Sequence, residues 1–367
     1  MSTLNEQLTA LIAQYTTDGN RLTALIEALK DAPFLGGDAT LYVAATGSAA
    51  PVNPLAGDAF DSISSAFAWL RGYRLLPTVT VIISVEAGTL SETGDAIDTT
   101  HPDGRQIEIW GADLAGEFPD DADFAAAEAT DEAMIRARFS TIIECASNGL
   151  IISRSGIRLA KNILFVGAET GTGIYAGMTE NTDPVTFGGN GSAEVSVMDC
   201  WFHNFSSGCA VRSGGQVTFL NVGVSYSASH GILVNDGSYL KGTNVLSRYN
   251  TGDGLHVRDS STAELLGGGH FDNNTGRGIY CQGSKVTASA AVAGDMTARG
   301  NTGANLYAKF NGFIHGIEMN LNTNGVSPNS GLAQYGSGIL LDNPVAGSGY
   351  SPASGATGNV NSWLSIY

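Results

Sequence analysis

The chain has 367 residues, 48 of them Gly, and only 14% are charged. Gly at this level without a G-X-Y period excludes collagen and predicts many turns per unit length, and no apolar run reaches the roughly 18 residues of a membrane-spanning helix. A net charge of −17, from 35 acids and 18 bases, argues against nucleic acid and anionic membranes as partners, because phosphate binding needs clustered Lys and Arg.

The opening stretch "MSTLNEQLTALIAQ" lacks the basic start and apolar stretch of a signal peptide, so synthesis in a cytoplasm is expected. Residues 1–37 carry leucines at heptad spacing, Leu8 and Leu22 on one seam position, Leu11 and Leu25 on the other. Asp18-Gly19 interrupts the pattern, which predicts two short helices or one kinked helix. So short a helix is marginal alone, and residues 1–37 are therefore read as a bundle-forming attachment or trimerisation segment.

Residues 38–75 predict a strand at Leu41–Ala44 and a helix over 58–72, with Phe60, Ile63, Phe67 and Leu70 on one face. Such a helix caps the first layer of whatever follows and covers its open edge. A strand over Thr78–Val85 and another in "QIEIWGA" (106–112) lead into the body, residues 76–367. Loop insertions are expected at about 112–140, 176–200 and 310–335. The acidic, Ala-rich stretch 116–133 reads as an excursion, not a core element.

The body repeats itself. Gly149, Gly173, Gly208, Gly231, Gly254, Gly278 and Gly338 each precede a short apolar alternation, with Asn305 in the same place before "LYA". The successive intervals are 24, 35, 23, 23, 24, 27 and 33 residues. Each turn holds runs of Val, Ile, Leu and Tyr bounded by Gly, Asn, Ser and Asp, with no helical stretch between them. Together these predict a mainly β protein, a single-stranded parallel β-helix in which coils stack about 4.8 Å apart.

Stacking makes columns. Val217, Leu240, Ala263 and Val286 form one, and Ile232, Val234, Leu255, Val257, Ile279 and Cys281 point inward. Asn204, Asn250, Asn274 and Asn301 each stand four residues before an anchor and are read as an Asn ladder. The Gly pairs 252/254 and 276/278 are expected to supply positive φ. Cys145, Cys200, Cys209 and Cys281 form no CxxC pair and read as buried, reduced thiols.

The stretches "YVAATGS", "NPLAGDAFDSISSAFAWL" and "TVTVIISVEAGTL", followed by the coil pattern, resemble bacteriophage tail fibres and tailspikes. The resemblance implies a right-handed β-helix, a homotrimer, and a virion-tail location after synthesis in the host bacterial cytoplasm. It also implies attachment to phage tail or baseplate proteins through the N-terminal segment, and binding of host surface glycans. Some members of the family cleave those glycans. Ala49-Ala50 stand where many relatives place an Asp soon after the Gly-Ser.

Candidate chemistry is sparse. Asp236 and Asp259 share a position five past their anchors and form the best acid pair for a glycan hydrolase, against a plain reading as turn aspartates. Arg248, Asp272 and Arg299 read as a surface ion-pair ladder. His203, His230, His256 and His270 occupy four different positions, no two forming a metal pair by spacing, so neither metal nor cofactor is expected. Tyr226 and Tyr249 are candidates for sugar contact, and the outward column Leu233, His256, Tyr280 and Tyr307 for a subunit interface. Two functions stay open: a structural and binding protein of the virion tail, or a polysaccharide hydrolase or lyase on the same solenoid.

Overall fold

A computed structural model of the protein describes residues 33–120, 123–124, 131–152, 156–177, 194–290, 296–317, 319–321, 331–342 and 363–366. The heptad leucines Leu8, Leu11, Leu22 and Leu25 lie outside the described residues. Among those described, a 17-stranded and a 9-stranded sheet, both parallel, build one solenoid, and no helix is long and apolar enough to cross a membrane.

One coil shows the plan. The strand Glu194–His203 runs along one face, bends at Asp199 (φ 49°), and continues along a second. Ser207–Val211 then forms the third face. Register carries the plan upward: Val217 pairs with Leu240, Leu240 with Ala263, and Ala263 with Val286. On the third face Cys209, Ile232, Leu255, Ile279 and Leu306 pair in succession, all fully buried. Alternate residues of each short strand thus meet in one continuous apolar core, which is the main stabilising term.

The corners are the other half of the design. Each column of corners sits in the left-handed region, where a Cβ is strained and Gly or Asn is favoured. Asp199, Asn221 and Asn244 occupy the first bend, and Asn221 and Asn244 each donate to the residue one coil below, at 2.7 and 3.1 Å. This ladder was not foreseen. The foreseen one exists from Asn250 upward: Asn250 Nδ2 donates to Asn274 Oδ1 (2.9 Å), and Asn274 Nδ2 to Asn301 Oδ1 (3.0 Å). Each Oδ1 also accepts the backbone N–H below it, and Asn301 passes the chain on to Asn305.

Three expectations need correction. Asn204 is not in that ladder: His203 pairs with Ser225, a 22-residue step, so Asn204 falls one position earlier, in a left-handed corner (φ 61°). Gly338 is not a third-face anchor either. It pairs with Phe313 on the first face, while the third-face strand above Leu306–Lys309 is Gly331–Gln334. Most of the described part of 310–335 is therefore ordinary coil. Finally, Gly252, Gly254, Gly276 and Gly278 do not have positive φ. Gly254 is needed for close approach, since a Cβ there would lie 2.7 Å from Asn274 Nδ2 and 2.8 Å from the Gly278 carbonyl.

The cap forms as expected, but shorter. Helix α1 (Ile63–Leu70) buries Ile63, Phe67 and Leu70, and Phe60 just before it, against the first coil. Ser62 caps it, and Glu92 from the coil accepts the Ile63 N–H (2.6 Å) and the Ser64 hydroxyl (2.7 Å). At its other end the buried His101 Nε2 lies 3.2 Å from both the Leu70 and Tyr73 carbonyls. Helix α2 (Asp131–Arg138) belongs to the excursion, which does build core after all. Phe124, Ile135 and Phe139 pack with Trp201 and Leu246 in a second apolar cluster on the outside of the coils.

Candidate functional site

The second corner carries an unusual column. Asn204, Tyr226, Tyr249 and Asn273 have φ of 61°, 57°, 58° and 56°, and Gly300 follows at 66°. Asn and Gly tolerate this backbone, whereas a Tyr there costs about 1–2 kcal/mol. Tyr226 is 40% exposed, and its ring stacks on Tyr249 at 5.4 Å and 22°. His203 packs edge-on against Tyr226 at 5.3 Å. Its Nδ1 lies 3.0 Å from Ser225 Oγ, and its Nε2 lies 3.6 Å from Glu132 of α2. Arg136 hydrogen-bonds Glu132 and holds its carboxyl below the usual range, so an ionised acid stands beside the aromatic corner.

Beneath the tyrosines lies the charged column, which is largely buried, with Arg299 part-exposed, rather than a surface ladder. His203, Ser225, Arg248, Asp272 and Arg299 stack, with Asp272 fully buried and Arg248 only 3% exposed. Asp272 accepts from Thr297 Oγ1 (2.8 Å), the Arg299 backbone N–H (2.9 Å) and Arg299 Nε (3.2 Å). The Arg248 guanidinium lies over Phe124 at 4.1 Å. The excursion thus covers this column and frames the corner.

The third corner repeats the arrangement near the far end. Phe310 (φ 51°) and Tyr335 (φ 56°) are each 46% exposed and stack at 4.9 Å and 19°. Lys309 sits 4.6 Å above the Phe310 ring. Sequence reasoning missed this pair because the anchor at Gly338 put the coil out of step. The local signal was present, since each ring directly precedes a turn residue, Asn311 or Gly336.

Asp236 and Asp259 belong to that same third corner, with φ of 59° and 58°. Both are exposed, and Asp259 faces Arg258 Nε at 3.3 Å. Their backbone carbonyls accept from Gly214 and Gly237 in the coil below. The geometry is that of exposed turn residues at a left-handed corner. Among the described residues, Glu92 is the carboxyl that burial pushes up, and it caps α1.

The outer side of the third face is closed instead of open. Leu233, His256, Tyr280 and Tyr307 are 4%, 8%, 6% and 7% exposed within the single chain. Tyr280 and Tyr307 stack at 5.0 Å, and Arg277 lies 4.2 and 4.6 Å over their rings. This column is therefore buried within the chain, contrary to the exposed stripe that the sequence predicts. Next to it stand His230 and Asp253, each just before an anchor glycine. His230, Asp253 and His256 bring their ligand-type atoms within 4.8 Å of one another, which corrects the expectation that no histidines pair with a carboxylate. Spacing within a column does not show this cluster, which forms across two positions of the coil separated by Gly254 and Leu255.

Residues 130–302 match the protein family described as "Right handed beta helix region". No curated protein sequence matches the chain. Among solved structures, 76% of this chain matches 39% of the enzymatically active domain of tailspike protein 2 from bacteriophage CBA120, at 12% identity and a TM-score of 0.46. In a second match, 72% of this chain covers 79% of the A-module of the mannuronan C-5 epimerase AlgE4 from Azotobacter vinelandii, at 11% identity and a TM-score of 0.41. This chain spans well under half the length of the first of these. Coil register and the family match together identify the body of this chain as a right-handed parallel β-helix.

Proposed function

We propose that this chain is a tail-fibre or tailspike protein that binds host surface glycan on the corners of its β-helix. The observation that carries the reading is the stacked, part-exposed pair Tyr226–Tyr249 held in left-handed backbone. Neighbouring coils fill the same corner with Asn or Gly at no strain, so the two tyrosines cost stability. Rings kept at such a cost, on a rigid frame and beside hydrogen-bonding groups, fit a polyhydroxylated ligand whose apolar sugar faces pack on aromatics. The net charge of −17 favours a glycan over a phosphate-rich partner.

The same proposal includes a homotrimer joined to phage tail proteins at the N-terminal end. What supports it is a group of exposed apolar side chains there: Phe34, Tyr42 and Leu55, exposed by 59%, 46% and 56%, share one depression of about 660 Å³ with Asp38 and Thr40. The same reading places its synthesis in the host cytoplasm before assembly. Incubation with purified capsule or lipopolysaccharide separates binder from depolymerase. Co-sedimentation without new reducing ends or unsaturated sugars is the expected result. Product formation establishes the enzyme reading, and neither binding nor product on the host's glycans overturns both.

A further inference from the structure

We propose that His230, Asp253 and His256 form a binding site for a divalent transition metal ion of the zinc type, independent of the glycan-binding corner. His256 Nδ1 lies 3.3 Å from Asp253 Oδ2 and 3.4 Å from His230 Nε2, and His230 Nδ1 lies 3.5 Å from Asp253 Oδ2. Metal–ligand bonds of about 2.0–2.1 Å in a tetrahedron place neighbouring ligand atoms about 3.3–3.4 Å apart. His256 and Asp253 already stand at that spacing, and His230 meets them through different nitrogens, Nε2 towards His256 and Nδ1 towards Asp253, so that one ligand atom of each group lies within 4.8 Å of the others.

The hydrogen bonding of the cluster leaves one contact over-committed. The Asp253 N–H donates to His230 Nδ1 (3.2 Å), which places the His230 proton on Nε2. His256 Nδ1 then faces that donor and the acceptor Asp253 Oδ2 together and can satisfy one of them. His256 Nε2 is buried with no hydrogen-bond partner among the described residues. A cation between the three groups relieves the contact between lone pairs. Ligation by His230 therefore requires its ring to turn and give up the Asp253 N–H, and at 27% exposure the side chain has room to do so.

The surroundings set the choice of ion. Two imidazoles and one carboxylate suit Zn²⁺ or Co²⁺, whereas Ca²⁺ and Mg²⁺ need oxygen-rich sites. Asp253 is fixed from behind: its Oδ1 accepts the Arg277 N–H at 2.9 Å and faces Arg277 Nη1 at 3.4 Å. The Arg277 charge is shared with the Tyr280 and Tyr307 rings, and Arg258 is paired with Asp259. Three protein ligands leave the fourth position to water or to an oxygen of a bound molecule.

The test is a Co²⁺ titration of the tag-free full chain after chelator treatment, read by visible absorption. The expected result is an intense tetrahedral band that saturates at a single ion per chain and is displaced by Zn²⁺. His230→Gln, at a part-exposed position, and His256→Gln are each expected to weaken binding by roughly 10- to 100-fold. His315→Gln, elsewhere on the solenoid, is expected to bind as the parent does. Absence of a saturating band in the parent overturns the proposal, whatever the variants do. So does a band that survives unchanged in a folded His230→Gln protein, with folding checked by circular dichroism.

Discussion

Asn274 shows how one side chain can hold several coils. It donates to Asn301 Oδ1 and to the Ser247 carbonyl, and its own Oδ1 accepts the side chain and N–H of Asn250. All of these groups are buried, so Asn274→Ala leaves several unpaired at once. A loss of roughly 2–4 kcal/mol is expected in urea unfolding, against well under 1 kcal/mol for Val52→Ala, 87% exposed. The ladder was readable because Asn recurs at a fixed offset from Gly. Asn204 was misread for the same reason, since offset from Gly follows the coil only while the step between anchors stays regular. At the same scale, burial raises the thiols of Cys200 and Cys281 to about 12 and pushes those of Cys145 and Cys209 higher still. The native protein is therefore expected to leave all four cysteines unmodified by a thiol reagent, and to expose them together on denaturation.

At the scale of elements, the cap and the excursion depend on side chains sent from other segments. Burial lowers the basicity of His101, so the native state holds it neutral beneath the end of α1. His230 is lowered in the same sense by burial and by its neighbour His256. A base with a lowered native pKa binds fewer protons folded than unfolded, so stability rises with pH across its titration. The melting temperature is therefore expected to fall as the pH drops below about 6.5, the usual value for an unfolded His. His101→Gln is expected to flatten part of that slope, and an unchanged slope in that variant would contradict the assignment. The helix face of α1 was legible because Phe60, Ile63, Phe67 and Leu70 follow helical spacing. The packing of Phe124, Ile135 and Phe139 on Trp201 was not, because an acidic, Ala-rich stretch shows no such period and the contact is remote in sequence.

For the whole molecule, the repeat was legible and the site was legible only in part. A β-helix writes its register into the sequence as offsets, so the inward columns could be listed directly. Corners are harder, because a left-handed residue carries no pattern beyond a taste for Asn and Gly. Tyr226 and Tyr249 break that taste, and so do Phe310 and Tyr335. Assembly belongs to this scale as well. Light scattering of the full chain is expected to give three times the 37.9 kDa chain mass, and a monomer mass would remove the trimer from the proposal.

The claim on which the account turns is that the aromatic corners are the carbohydrate-binding surface. Isothermal titration of the host's surface polysaccharide, cut to short oligosaccharides, tests it in the parent and in a Tyr226→Asn/Tyr249→Asn double variant. The parent is expected to bind, and the double variant to lose about 10- to 100-fold in affinity while melting no lower, because Asn, which fills this corner in the neighbouring coils, tolerates the left-handed backbone better than Tyr. Parent-like affinity in the folded double variant would show that the glycan is held elsewhere.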